Sequence, residues 1–227
     1  LKDRIVLIVS APSDFSIFNF SIFNSAFRMR LSIIALGHVH AEDLASLTTR
    51  FTHIEQLVLD VAPRDELARH RAELNRAIDA ATADWMLIVR ERETIDEVLA
   101  TEIASAVNDA KAFGFRIRAV PFYAGKRLRL EESSGEVRLF HRRHYLRHAN
   151  KGQWEEISVQ GSVVRMNGAF RSITFASADE HRAHLAAKST PRSWLWRALV
   201  FTRYAIGTRA RDANTLRYLW IEAAYEA

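Results

Sequence analysis

The chain has 227 residues, a length that suits one large domain or two small ones, and 48% of them are apolar, enough to build a substantial core. Its formal net charge is +5, with arginine supplying most of the 32 basic residues, which suits anionic partners and equally a basic, soluble surface. The absence of cysteine excludes disulfides, thiolate metal sites and a cysteine nucleophile, and fits a reducing compartment.

Residues 5–9 form a short, continuous apolar run, as expected of a strand buried on both faces. No signal-peptide pattern is expected in this opening segment. Residues 15–27 repeat a five-residue unit and read as a helix. Strands are predicted over 31–36, 54–59 and 85–89, the second ending at Asp60. Helices are predicted over 41–51, from an Asp65 cap through Ala80, and over 95–113 with Thr94 as N-cap and Glu97 at the capping-box position. Strand–helix alternation over 1–113 points to an α/β chain with a mostly parallel sheet flanked by helices. The strands near residues 5, 33, 57 and 87 should form it, with Asp60 and Arg90 at neighbouring strand ends.

After residue 113 the texture changes. Short β-like runs at 115–120, 127–130, 137–140, 157–159 and 163–166 predict an antiparallel region over 114–178, and 179–227 reads as a helical tail. No Pro-, Gly- or Ser-rich linker separates these parts, so one mixed domain over 1–227 is expected. No stretch approaches the roughly 20 apolar residues needed to span a membrane. A cytoplasmic location is expected, with peripheral contact at the inner face of the membrane open through the basic aromatic segment 191–211. That segment mixes Trp194, Trp196, Leu199, Phe201 and Tyr204 with Arg192, Arg197, Arg203, Arg209 and Arg211. It reads either as a helix packing its aromatic face on the domain or as one lying on anionic lipid.

Several segments, in order, resemble the family 2 glycosyltransferases of bacterial surface-polysaccharide synthesis. Leu57-Val58-Leu59-Asp60, with Asp65 five positions later, is similar to that family's strand and paired aspartates. His70 to Ile78, containing Asn75, followed by the run ending at Val89, resembles its Asn-bearing helix and the strand leading to an Asp-x-Asp-Glu segment. Here that segment reads Arg90-Glu91-Arg92-Glu93, with arginines in both aspartate positions. Val137-Arg138-Leu139-Phe140 looks like an Arg-Leu-Phe segment. Trp154-Glu155 followed by Gly161 looks like a His-Glu segment with tryptophan in the histidine position, and a later family histidine would fall near Thr174.

The resemblance implies a glycosyltransferase A-type fold, a nucleotide-sugar donor and a glycan or lipid-linked acceptor. It carries Asp60, Asn75, Arg90, Arg92 and Arg138 over as nucleotide- or diphosphate-binding residues and Glu155 as the general base of an inverting transfer. Such enzymes steady the departing diphosphate with a divalent cation on carboxylate oxygens. Two guanidinium groups would repel that cation, and strand alternation would set Arg90 and Arg92 on one side, where their planar forks could bind phosphate directly. No metal and no cofactor are therefore expected. The leading expectation is a degenerate glycosyltransferase-like protein that binds a nucleotide, glycan or partner. Beside it stand a metal-independent enzyme using Arg90, Arg92 and Glu155, and a basic adaptor for anionic lipid. No motif points to nucleic acid.

Overall fold

The computed structural model describes residues 29–59, 67–109, 111–129, 135–147, 157–187, 194–208 and 212–223. The predicted strand 5–9 and helix 15–27, and the residues Asp60, Asp65, Trp154 and Glu155, lie outside them. The chain forms two compact units, one within Leu1–Arg118 and Ser134–Phe170, the other within Ala119–Ser133 and Arg171–Ala227.

In the first unit, strands β1 (Arg30–Leu36), β2 (His53–Leu59) and β3 (Trp85–Arg90) match the three apolar runs to within one residue at each end. β1 lies in the middle and pairs in parallel with both neighbours, Leu36 meeting Leu59 on one side and Arg90 on the other. Helix α2 (Leu67–Ala80) makes the crossover from β2 to β3, and its Leu74, Ile78 and the following Ala81 close over Ile34, Leu36, Leu57 and Ile88. The crossover from β1 to β2 is shorter than the predicted helix. It is a 3-10 turn, Ala41–Leu44, and one helical turn, α1 (Ala45–Thr48). The hydroxyls of Thr48 and Thr49 donate back to the carbonyls of Ala45 and Ser46, an alternative to continuing the helix.

The expectation of a mostly parallel sheet is corrected to a mixed one. The order is β2-β1-β3-β7-β5-β10-β4, formed with β4 (Glu93–Thr94), β5 (Gly114–Tyr123), β7 (Glu136–His141) and β10 (Val163–Phe175); β6 (Lys126–Arg127) pairs with β5. β7 runs antiparallel to both β3 and β5. The chain reverses at the end of β5, where Ala124 and Gly125 turn it back into β6, antiparallel to β5, and β7 pairs with β5 in the same sense. A second correction concerns the strand ends. With β1 inserted, the ends of β2 and β3 are two strand spacings apart, about 10 Å, and not neighbours.

Helix α3 (Glu97–Asn108) starts two residues later than predicted. Thr94 belongs to β4, and Asp96 is the cap, its Oδ1 accepting the Leu99 N–H at 2.8 Å. α3 lies against Gly168 of β10. A Cβ there would meet the Leu99 Cα at 2.9 Å, and the Gly168 N–H donates to Glu102 Oε2 at 2.9 Å. Because the obstacle is backbone, Gly168→Ala should lower stability by about 1–3 kcal/mol, read by urea unfolding. An unchanged midpoint would mean that helix and strand can separate freely.

Two short strands, β8 (Tyr145–Leu146) and β9 (Ser158–Val159), form a separate antiparallel pair. The second unit is helical at its C-terminal end, as predicted, with α4 (Ala178–Ala186), α5 (Trp194–Gly207) and α6 (Ala213–Glu222). Its core joins Tyr123, Leu128, Ala178 and Ile221.

Candidate functional site

The carboxyl end of β3 is where parallel strands present loops to a ligand. Arg90 is the last residue of the strand. Glu91 and Arg92 form the turn into β4, the Glu91 N–H donating to the Leu36 carbonyl at 2.8 Å. Arg92 takes φ 62°, left-handed backbone that is uncommon outside glycine. The chain turns here, so strand alternation does not run through Arg90-Glu91-Arg92-Glu93. Glu93 comes back under the turn, and its Oε2 accepts the Arg90 backbone N–H at 2.8 Å.

Four charged side chains meet at this point. Arg90 Nη2 contacts Glu136 Oε2 at 2.7 Å. Arg138 Nη2 donates to Glu93 Oε1 at 3.1 Å, and its Nε lies 3.2 Å from Glu136 Oε2. The Arg138 guanidinium also sits 5.6 Å from the Phe170 ring centre, within cation–π range. The Arg138 and Glu93 side chains are each only 3% exposed. Period two on β7 puts Glu136 and Arg138 on one face, a signal the sequence carried and the reading of single arginines passed over. Among the described residues, two arginines here stand against two carboxylates. Its carboxylates are committed to guanidinium groups, so they do not suit a divalent cation, which needs several unneutralised oxygens.

The remaining predicted residues are not gathered here. Asn75 Oδ1 accepts the Tyr145 hydroxyl at 2.6 Å, and Tyr145 packs on Phe140, whose strand partner is Met86 near the start of β3. Asn75 is thus tied toward the amino end of that strand, away from Arg90. Arg92 is exposed. The loop after β1 brings two further residues to the carboxyl ends, His38 and His40, whose rings meet edge-on at 4.5 Å. Thr174 lies on β10.

At the opposite, amino ends of β1 and β3 is a cavity of about 290 Å³, lined by Arg30, Thr82, Asp84, Trp85, Asn108 and His141. Beside it, Glu55 accepts hydrogen bonds from the Thr82 N–H and hydroxyl and from Ser32 Oγ. Burial pushes its carboxyl pKa up, but these donors outweigh burial and hold it below the ordinary range. Burial lowers the His141 pKa, with Asp84 opposing.

The second unit holds a buried polar stack. The His181 ring lies between Phe175, 4.2 Å away, and Tyr218, 5.0 Å away, both nearly parallel to it, with Tyr123 edge-on at 5.5 Å. His181 Nε2 lies 3.0 Å from Glu222 Oε1. That hydrogen bond holds the Glu222 carboxyl below its ordinary pKa against the opposing effect of burial, with the Tyr218 hydroxyl assisting.

Among the described residues no group of three His, Asp or Glu is placed to hold a metal ion. Compared with protein-family models and with curated proteins, the chain finds no match in either.

Proposed function

We propose that this chain is a degenerate protein of the family 2 glycosyltransferase type that binds a nucleotide, glycan or partner at the carboxyl ends of its parallel strands, without metal-dependent catalysis. The observation that carries the reading is the ion-pair cluster of Arg90, Glu136, Arg138 and Glu93. In a metal-dependent transferase that position needs uncommitted carboxylates. Here guanidinium groups stand in it, and the nearby carboxylates hold them. The finer fold reading, a glycosyltransferase A-type sheet, belongs to the same proposal and is supported by the parallel β2-β1-β3 order with α2 as crossover. Its donor-side ligand is a nucleoside diphosphate or nucleotide sugar, its acceptor a glycan or lipid-linked glycan.

Arg90 remains within reach of such a ligand, because Glu136 is 43% exposed and can exchange its arginine for water. Arg92 stands at the turn beside it. Calorimetry with nucleoside diphosphates, with and without manganese or magnesium, tests the reading. Binding should gain nothing from metal and should weaken sharply in the double variant R90A/R92A, each lost charge-assisted hydrogen bond counting for roughly 1.5–3 kcal/mol. Metal-enhanced binding that survives in the double variant would overturn the proposal. Turnover without metal, lost in Glu155→Gln, would put a metal-independent transferase in its place. No binding of any nucleotide would leave the glycan or partner role.

A further inference from the structure

We propose that α5 docks in the plane of an anionic lipid surface. Its 14 residues have two faces. One closes on α6: Val200 is buried, Phe201 meets the Trp220 ring edge-on at 5.2 Å, and the Arg197 guanidinium lies 4.2 Å over that ring while its Nε donates to the Trp220 carbonyl. The opposite face carries Leu199, Thr202, Arg203 and Ile206, the i, i+3, i+4, i+7 set that lines one side of a helix. All four are exposed, and the two large apolar side chains are the most open of their kind among the described residues, Leu199 at 64% and Ile206 at 73%.

Charge decides what covers that face. α5 contains two arginines and no acidic residue. The sequence on either side adds Arg192, Arg209 and Arg211 with no acid before Asp212. A protein partner would have to be both apolar and acidic, whereas a bilayer with anionic headgroups offers both properties in one plane. Apolar side chains enter the headgroup boundary while arginines meet the phosphates. Each basic residue near such a surface strengthens binding about fivefold. No helix among the described residues is long and apolar enough to cross a membrane, so the geometry is that of a helix lying on the surface. The inference stands independently of the nucleotide reading, since no residue is shared between them.

The test is co-sedimentation of the full chain with vesicles of equal parts phosphatidylglycerol and phosphatidylcholine, against phosphatidylcholine alone. The chain should bind the mixed vesicles, release in high salt and ignore the neutral ones. L199E/I206E should weaken binding at least tenfold and R203E several-fold. Both should keep the wild-type circular dichroism and melting temperature, because all three side chains face solvent. Undiminished binding by L199E/I206E, equal binding to neutral vesicles or no binding to either would overturn the proposal. So would a lipid-free dimer that L199E/I206E makes monomeric, which would mean that a second copy covers the face.

Discussion

Replacing Arg138 by methionine should lower the unfolding free energy by about 3–5 kcal/mol, the range for removing one partner of a buried ion pair. Methionine restores much of the volume, so the loss reports the guanidinium charge, its cation–π contact with Phe170 included, more than packing. What remains is the Glu93 carboxylate, 3% exposed, with its guanidinium partner gone and a single backbone donor, the Arg90 N–H, still attached. Glu136 suffers less, because it is 43% exposed and keeps Arg90. The second substitution E93Q should therefore recover part of the loss in R138M, since its amide oxygen can still accept the Arg90 N–H without a buried charge. Urea unfolding of the two single variants and the double gives the coupling directly. If R138M alone unfolds within about 1 kcal/mol of wild type, the cluster is more hydrated than its geometry indicates, and the argument against a cation site there weakens with it.

That cluster also marks the limit of what the sequence made legible. Apolar runs located β1 and β3 closely because both are buried on two faces and Ser32 is the one polar residue inside them, whereas β2 was located by Leu57-Val58-Leu59 alone, since Glu55 and Gln56 are buried within it. Partners were not legible. Arg90 and Glu136 are 46 residues apart, and only the insertion of β7 beside β3 brings them together. Read alone, the Arg-Glu-Arg-Glu run suggested alternating strand faces, whereas the left-handed turn at Arg92 lets Glu93 fold back on Arg90. β10 was expected to stop near Met166, yet it continues to Phe175. Glycine at 168 would weaken a strand unless something must approach its backbone, and here that something is α3. The strand parity that would have extended it was present, Met166, Gly168 and Phe170 being buried with Arg165, Asn167 and Arg171 exposed on the other face. His181 carried no signal of its own: one histidine in a polar helix gives no hint of the rings that enclose it.

His181→Ala should destabilise the second unit by about 2–5 kcal/mol, the range for emptying a large buried side chain. The ring is fully buried between Phe175 and Tyr218, and closing the gap would disturb the contact of Tyr218 with Tyr123 or that of Phe175 with His184. His181→Phe separates the two contributions. It keeps a ring in the stack and removes only the hydrogen bond to Glu222, so it should cost roughly 1.5–3 kcal/mol, the scale of a hydrogen bond to a charged group. The same pair sets a pH dependence. The Glu222 carboxyl titrates below its ordinary value in the folded chain, so the unfolded state takes up its proton first as acid is added. Its contribution is complete above the unfolded carboxylate pKa and is lost as pH falls through the lower folded value. The groups facing it are His181 and Tyr218, with His184 adding a favourable charge from α4. Chemical denaturation from neutral pH down to about pH 3 should show wild type losing stability more steeply than Glu222→Gln, which has no proton to gain there. Hydrogen exchange of the α4 and α6 amides should follow the same order. Parallel pH profiles for the two proteins would mean that Glu222 is hydrated in the folded chain and that the ring stack alone holds α4 to α6.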